Sequence, residues 1–302
     1  MMIRDHLRKP PWLRKTIPTG PGVNKINGIL QKTGLHTVCQ EARCPNRVEC
    51  YTRAAATFLI MGPHCSRTCT FCAVTAALPH PLNPAEPSLV AAAIKEMNLS
   101  FAVITSVTRD DLPDGGAAHF ASVIKAVRDL FRDIGPAIKV EALIPDFQGN
   151  EAALEAIIEA GPTVLNHNLE TISRLYDRVR PGADYDRSLK LLHQTRQKAP
   201  QQVTKSGIMV GLGESFPEIL ELFGHLREAG CDILTVGQYL QPSKDHHPVV
   251  RFVHPDEFRD YETEARRLGF KAVSAGPYVR SSYQAGELYR RALSPDPLGQ
   301  GS

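Results

Sequence analysis

From residue 57 onward, short apolar and β-branched runs alternate with longer runs of helical period, and this rhythm restricts the chain to repeated βα units around a parallel sheet. The strand-like runs are Thr57–Met61, Phe101–Thr105, Lys139–Leu143, Val164–Asn168, Thr204–Met209 and Ile233–Gln238. Helical patterns fill the intervals near Leu89–Met97, Ala118–Phe131, Glu151–Glu159, Ser188–Gln197 and Phe216–Ala229, several opened or closed by Pro or Gly. Right-handed crossovers wind these units into an α/β fold, a partial (β/α)6 TIM-type barrel with N-terminal and C-terminal extensions; a doubly wound open sheet has the same alternation. At 302 residues the barrel counts as one domain. The expected division is an N-terminal extension at 1–56, the barrel at 57–270 and a C-terminal extension at 271–302, with Pro295–Ser302 as a frayed end.

Cysteine placement narrows the chemistry. There are seven cysteines, an odd number, and six fall within Cys39–Cys72. In a reducing compartment, thiols clustered in this way are metal ligands and not half-cystines. Composition excludes several other classes. Hydrophobic residues at 42% and charged residues at 22% are ordinary for a globular protein, and a net charge of +3 is too small to call for nucleic acid. No stretch approaches the roughly 18 to 20 apolar residues that cross a bilayer. The basic opening segment (Arg4, Arg8, Lys9, Arg14, Lys15) is interrupted by Asp5, Pro10 and Pro11 and lacks a signal-peptide core. The expected location is cytoplasmic, with neither membrane nor nucleic acid as partner.

Cys65, Cys69 and Cys72 form C-x3-C-x2-C in GPHCSRTCTFCAV, directly after the first strand of the barrel. Three thiolates hold three irons of a 4Fe-4S cube and leave the fourth open to chelate the amino and carboxylate groups of S-adenosylmethionine (SAM). One electron passed into the sulfonium then frees a 5'-deoxyadenosyl radical able to take hydrogen from an unactivated alkyl chain. A structural zinc site would need four ligands, drawn as paired CxxC or Cys/His groups. The spacing, the aromatic Phe71 before the last cysteine and the position after a strand resemble the radical SAM superfamily. In that superfamily the aromatic residue lies against adenine, which makes Phe71 a cofactor contact, and His64 reads as a loop residue.

A second triad, Cys39, Cys44 and Cys50 in CQEARCPNRVEC, lies upstream of the barrel and again lacks a fourth ligand. The remaining thiol, Cys231, sits in AGCDIL at a helix-to-strand corner and reads as core packing. CQEARCPN, CSRTCTFC, TSVTRDDLPDGG and GPYVRSSYQAGE together resemble the lipoyl synthase family, and the resemblance runs from KPPWLRK to RSSY, nearly the whole chain. It implies two 4Fe-4S clusters and SAM, with a serine of RSSY, Ser281 or Ser282, as the fourth ligand of the second cluster; Ser282 is taken here. A hard serine oxygen on a soft cluster can be released when the cluster is dismantled. The implied activity is insertion of two sulfur atoms, taken from that cluster, at C6 and C8 of an octanoyl group amide-linked to a lysine. The implied partners are octanoylated lipoyl carriers (lipoyl domains of 2-oxoacid dehydrogenase E2 subunits, the glycine cleavage H protein) and a ferredoxin or flavodoxin reductant, with the enzyme a monomer.

Residues at the C-terminal ends of barrel strands face the active site. Asn168 and Glu170, in LNHNLET, are placed to meet a ribose diol; Thr105 is placed for the methionyl amino group, Lys205 for the methionyl carboxylate, and Leu240 to present backbone to adenine. Each has an ordinary alternative as a loop, core or solvent-facing residue. Asp110 and Asp111 read as capping or ion-pairing groups, Gly211–Glu214 as a tight βα turn, and His246 and His247 as loop residues. Trp12 is either a partner contact or an anchor of the N-terminal arm. Two other functions remain in play from the motifs alone: a methylthiotransferase-like enzyme, which usually adds an RNA-binding appendage, and a two-cluster electron carrier, which has no use for an open iron.

Overall fold

The computed structural model describes residues 8–14, 21–132 and 137–294, so the expected frayed end at Pro295–Ser302 lies outside the described residues. The strands are β1 (His36–Thr37), β2 (Thr57–Ile60), β3 (His64–Cys65), β4 (Thr75–Ala76), β5 (Phe101–Ser106), β6 (Lys139–Leu143), β7 (Val164–Asn166), β8 (Val203–Val210), β9 (Ile233–Gln238) and β10 (Ala272–Gly276). Eight of them form one sheet in the order β1-β2-β5-β6-β7-β8-β9-β10, while β3 and β4 pair separately. Every neighbour from β2 to β10 is parallel; β1 alone runs antiparallel, on the outer edge of β2.

The order follows the chain without reversal, and a doubly wound sheet would reverse at a switch point. The architecture is therefore the partial TIM-type barrel. All six expected strands are present, and a seventh parallel strand, β10, pairs with β9 from Ala272↔Ile233 to Gly276↔Gly237. It lies past residue 270, in a run of small residues (AVSAG) without the bulky β-branched pattern that marked the others. Strands of this kind are covered on both faces, which explains their continuous apolar character. All four residues of β2 and all six of β9 are buried.

Local signals set the helices between them. Ser215 and Glu218 form a capping box on the helix Phe216–Glu228. Asn150 accepts from the Ala153 amide to open Glu151–Ala160, which ends at Gly161 in the left-handed conformation.

Both extensions share the barrel's core. The helix Pro21–Thr33 contributes Ile26, Ile29 and Leu30 to it, and the fully buried Tyr51 meets the Thr37 hydroxyl at 2.8 Å. At the other end, the helix Ala285–Leu293 packs Leu288 on Ile233 and Ala272, the first residues of β9 and β10. A Cβ on Gly286 would lie 3.1 Å from the Phe101 side chain at the start of β5, so this helix crosses the N-terminal ends of three strands. The segment between β10 and that helix lies on Gly237 of β9, where an added Cβ would stand 2.2 Å from the Val279 carbonyl oxygen. Gly237→Ala should therefore unseat residues 277–284 while leaving the barrel folded. Overpacking of about 1–3 kcal/mol corresponds to roughly five- to 150-fold more opening, read as faster trypsin cleavage after Arg280.

Candidate functional site

The first triad follows the C-terminal end of β2. Its loop is pinned from several sides: the Arg67 and Thr108 amides donate to Cys65 Sγ at 3.5 and 3.3 Å, and the Cys72 amide to the Cys69 carbonyl at 3.1 Å. The buried Arg67 guanidinium bonds Asp110 and Asp146, each at 2.6 Å. The loop after β9 closes over it, with the His247 amide donating to the Thr70 carbonyl at 2.8 Å and His246 Nε2 3.0 Å from the Cys72 carbonyl oxygen. Burial pushes the thiols of Cys69 up to about 11 and Cys72 up to about 12, with further raising contributions from their neighbouring thiols and from Glu170; Arg180 opposes this at Cys69. Metal ligation removes such protons outright.

The second triad backs onto the opposite end of the same strand. Cys39 lies in the short helix Val38–Glu41, capped by Thr37, and is hydrogen-bonded by the backbone of Thr57, the first residue of β2. Burial pushes its thiol up to about 11, with Cys44 adding to the effect. Cys50 lies in the helix Arg47–Thr52. The RSSY segment is fastened here: Tyr283 donates to Glu49 Oε1 at 2.8 Å, Asn46 Nδ2 donates to the Tyr278 carbonyl at 2.6 Å, and the Arg280 guanidinium is near enough to Cys44 to sense its charge.

Among the described residues, no three His, Cys, Asp or Glu side chains converge as ligands of a single ion. Thiolates around one zinc stand about 4 Å apart. The thiols of the first triad lie near enough to act on one another's charge, and three thiolates are the donor set of an iron-sulfur cube with one iron left open. For a polar nucleotide the strand ends also offer buried atoms with no partner among the described residues: Ser106 Oγ at the end of β5 and Asn166 Oδ1 at the end of β7. An unsatisfied buried polar atom costs about 1–3 kcal/mol, which a bound polar ligand would recover.

Between the triads runs a polar chain. Lys205 is 0% exposed and donates to both carboxylate oxygens of Glu141 at 2.9 Å. Asn166 Nδ2 donates to Glu141 and to Ser281 Oγ, both at 2.8 Å. Ser281 donates to Asn168 Oδ1 and Asn168 Nδ2 to Glu170, both at 2.9 Å.

Residues 59–226 match the Radical SAM superfamily, and residues 2–44 match the N-terminal domain of lipoyl synthase of the radical SAM family. The chain is 53% identical to a lipoyl synthase of Desulfotalea psychrophila over 287 residues, 94% of each chain. With a lipoyl synthase of Geobacter sp. strain M21 it shares 50% identity over 297 residues, 98% of this chain and 100% of the relative. The chain belongs to the lipoyl synthase family.

Solved structures agree on the fold. Streptococcus suis SuiB bound to S-adenosylmethionine superposes with a TM-score of 0.58 at 16% identity, covering 73% of this chain and only half of SuiB. HydG, a maturase of the [FeFe]-hydrogenase, gives 0.58 at 17% identity, covering 76% of this chain and 53% of its own.

Within this family member, Asn168 and Glu170 come together beside the first triad, where burial raises the Glu170 carboxyl and Arg180 opposes the rise. Phe71 is half-buried against the core. Leu240 follows Tyr239, whose phenol donates to the His247 carbonyl at 2.7 Å and lies near Cys72. Thr105 and Lys205 are engaged within the protein: the Thr105 hydroxyl donates to the Leu143 carbonyl at 2.8 Å, and two Lys205 protons go to Glu141. Asp110 and Asp111 are ion-paired to Arg67 and Arg109, Glu214 closes the Gly211–Leu212 turn, and Cys231 is fully buried with its thiol on the Ile233 carbonyl. Trp12 anchors the arm through an edge-on contact with His254 at 4.9 Å.

Glu141, Asn166, Arg180 and His167 were missed by sequence reasoning. Glu141 left a signal, a lone acid inside the apolar run KVEAL; Asn166 and His167 left only the polar string NHN at a strand end. Burial holds the His167 imidazole down at about 4, so it sits neutral with Nδ1 2.8 Å from the Ile144 carbonyl. Glu141→Gln or Lys205→Met alone should lower stability by about 3–5 kcal/mol, because each strands a buried charge. The double variant should recover most of that loss in thermal unfolding of the anaerobic protein.

Proposed function

We propose that this chain is a lipoyl synthase that replaces hydrogen by sulfur at C6 and C8 of an octanoyl group on a carrier-protein lysine. In this reading Cys65, Cys69 and Cys72 hold the 4Fe-4S cluster that binds SAM, and Cys39, Cys44, Cys50 and Ser282 hold the second. When bound, the first cluster delivers the electron that opens SAM to its adenosyl radical, and the second supplies sulfur. The protein's own part is placement. Backbone amides donating to Cys65 Sγ draw charge from the sulfur that would hold the first cluster, and so would tune it. Asn168 and Glu170 orient the ribose, Phe71 and the Leu240 backbone bracket the adenine, and Thr105 and Lys205 border the methionyl end.

The observation that carries the reading is that RSSY is fastened to the second triad by Tyr283–Glu49 and by Asn46 on Tyr278. Ser281 supports the choice of Ser282, because its hydroxyl already both accepts and donates inside the barrel. The substrates are octanoylated lipoyl carriers, the lipoyl domains of 2-oxoacid dehydrogenase E2 subunits or the glycine cleavage H protein. A ferredoxin or flavodoxin is the reductant, and the enzyme works as a cytoplasmic monomer. Among the described residues no helix is long and apolar enough to cross a membrane.

Anaerobically reconstituted protein given SAM, a reductant and an octanoyl-lysine peptide should release 5'-deoxyadenosine and add two sulfur atoms to the peptide, read by mass. Absence of 5'-deoxyadenosine would point to an electron carrier instead. Ser282→Ala should still cleave SAM but lose sulfur insertion by roughly 100-fold or more. Normal lipoylation by that variant would remove Ser282 from the ligand set.

A further inference from the structure

We propose that Ser281 is a positioning residue that couples the nucleoside site to the second cluster, orienting Asn168 on one side while its neighbour Ser282 serves the iron on the other. The inference rests on the reading just given and adds a role for a residue that reading leaves idle. It follows from the direction of each hydrogen bond in the polar chain.

A lysine ammonium has only donors and an ionised carboxylate only acceptors. Glu141, held by Lys205, therefore requires Asn166 to present its NH2 group, at 2.8 Å. That same NH2 reaches Ser281 Oγ at 2.8 Å, so the hydroxyl oxygen accepts there and keeps its single proton for Asn168 Oδ1, which stands at 2.9 Å. Asn168 must then turn its carbonyl toward Ser281 and its NH2 toward Glu170, 2.9 Å away. Glu141 fixes the direction of the first links, and the Ser281 proton fixes that of Asn168. Gly207 gives the amide room, since a Cβ there would lie 2.9 Å from Asn168 Oδ1.

Glu170 in turn lies close enough to Cys69 and Cys72 for its charge to raise both thiols. The RSSY segment is thus held at Ser281 to the strand ends and at Tyr283 to Glu49, beside Cys50, with Ser282 between. Displacement of Ser282 pulls on Ser281, and loss of the Ser281 proton leaves the Asn168 amide free to turn away from Glu170. Coupling of this kind is reciprocal, so nucleotide bound at Asn168 and Glu170 also steadies Ser282.

The test is anaerobic equilibrium binding of S-adenosylhomocysteine, which is not cleaved, to the full chain loaded with both clusters, with iron and sulfide counted and the reduced spectrum recorded. Ser281→Ala should keep full iron and bind roughly tenfold more weakly, the scale of one lost charge-linked hydrogen bond. Ser281→Thr, which retains the hydroxyl, should bind within about threefold of wild type. Wild-type affinity in Ser281→Ala at full iron overturns the proposal, as does an equal loss in Ser281→Thr. If Ser281→Ala fails to assemble, Ser281→Cys decides in its place: weakened binding supports the link and wild-type affinity overturns it. Asn168→Ala separates the two layers. Weak binding in Asn168→Ala with full affinity in Ser281→Ala overturns the coupling alone, whereas full affinity in Asn168→Ala takes the nucleoside site away from Asn168 and overturns both.

Discussion

The buried ion pair of Lys205 with Glu141 is the interaction around which the barrel interior is arranged. Taking both charges out of water is expensive, and the pair is tolerable only because two short bonds join its members and the remaining carboxylate capacity is met by Asn166. That second requirement organises the neighbourhood. Asn166, committed to Glu141, has one further proton to give, and it is given to Ser281, so the C-terminal segment is seated by a charge located on β6 and β8. A barrel lined only with aliphatic side chains would pack as well and would offer the RSSY segment no polar hold.

The two cysteine triads divide along one short strand. β2 is four residues long, and a parallel strand rises about 3.3 Å per residue. One triad leans on its first residue and the other follows its last, which keeps the two groups of thiols near each other and in separate loops. Separation suits a protein in which one cluster must be kept and the other supplies sulfur. Each triad is also fastened by a distant segment. The loop after β9 closes on Cys69–Cys72, and residues 278–283 close on Cys44–Cys50, so both sites become complete only after the last strands are in place.

Much of this was readable from the residues. The six strands from Thr57 to Gln238 follow from apolar runs bounded by turn residues, and the two triads announced themselves by spacing. Pairing is where local pattern stopped short. β10 has too little side-chain bulk to stand out as a strand, and it joins the sheet because β9 offers it a partner edge. The place of Lys205 at a strand gives its cofactor reading, but the acid it is bonded to, Glu141, lies 64 residues away in sequence. Arg180, through its charge, and His167, through its burial, are brought beside the site by folding, which neither neighbouring sequence nor residue type expresses.

The sequence by itself marked the chemistry, because a cysteine triad is recognised by thiol identity and spacing within a loop, and both are local. It also determined the βα rhythm, since strand and helix periods are local as well. Only the tertiary structure decided which hydroxyl of RSSY is engaged in the barrel, which charges cancel inside it, and how the far ends of the chain meet across β2. Those outcomes depend on contacts between residues 64 to 234 positions apart, such as Lys205 with Glu141, Ser281 with Asn166 and Tyr283 with Glu49, and a one-dimensional pattern carries no term for them.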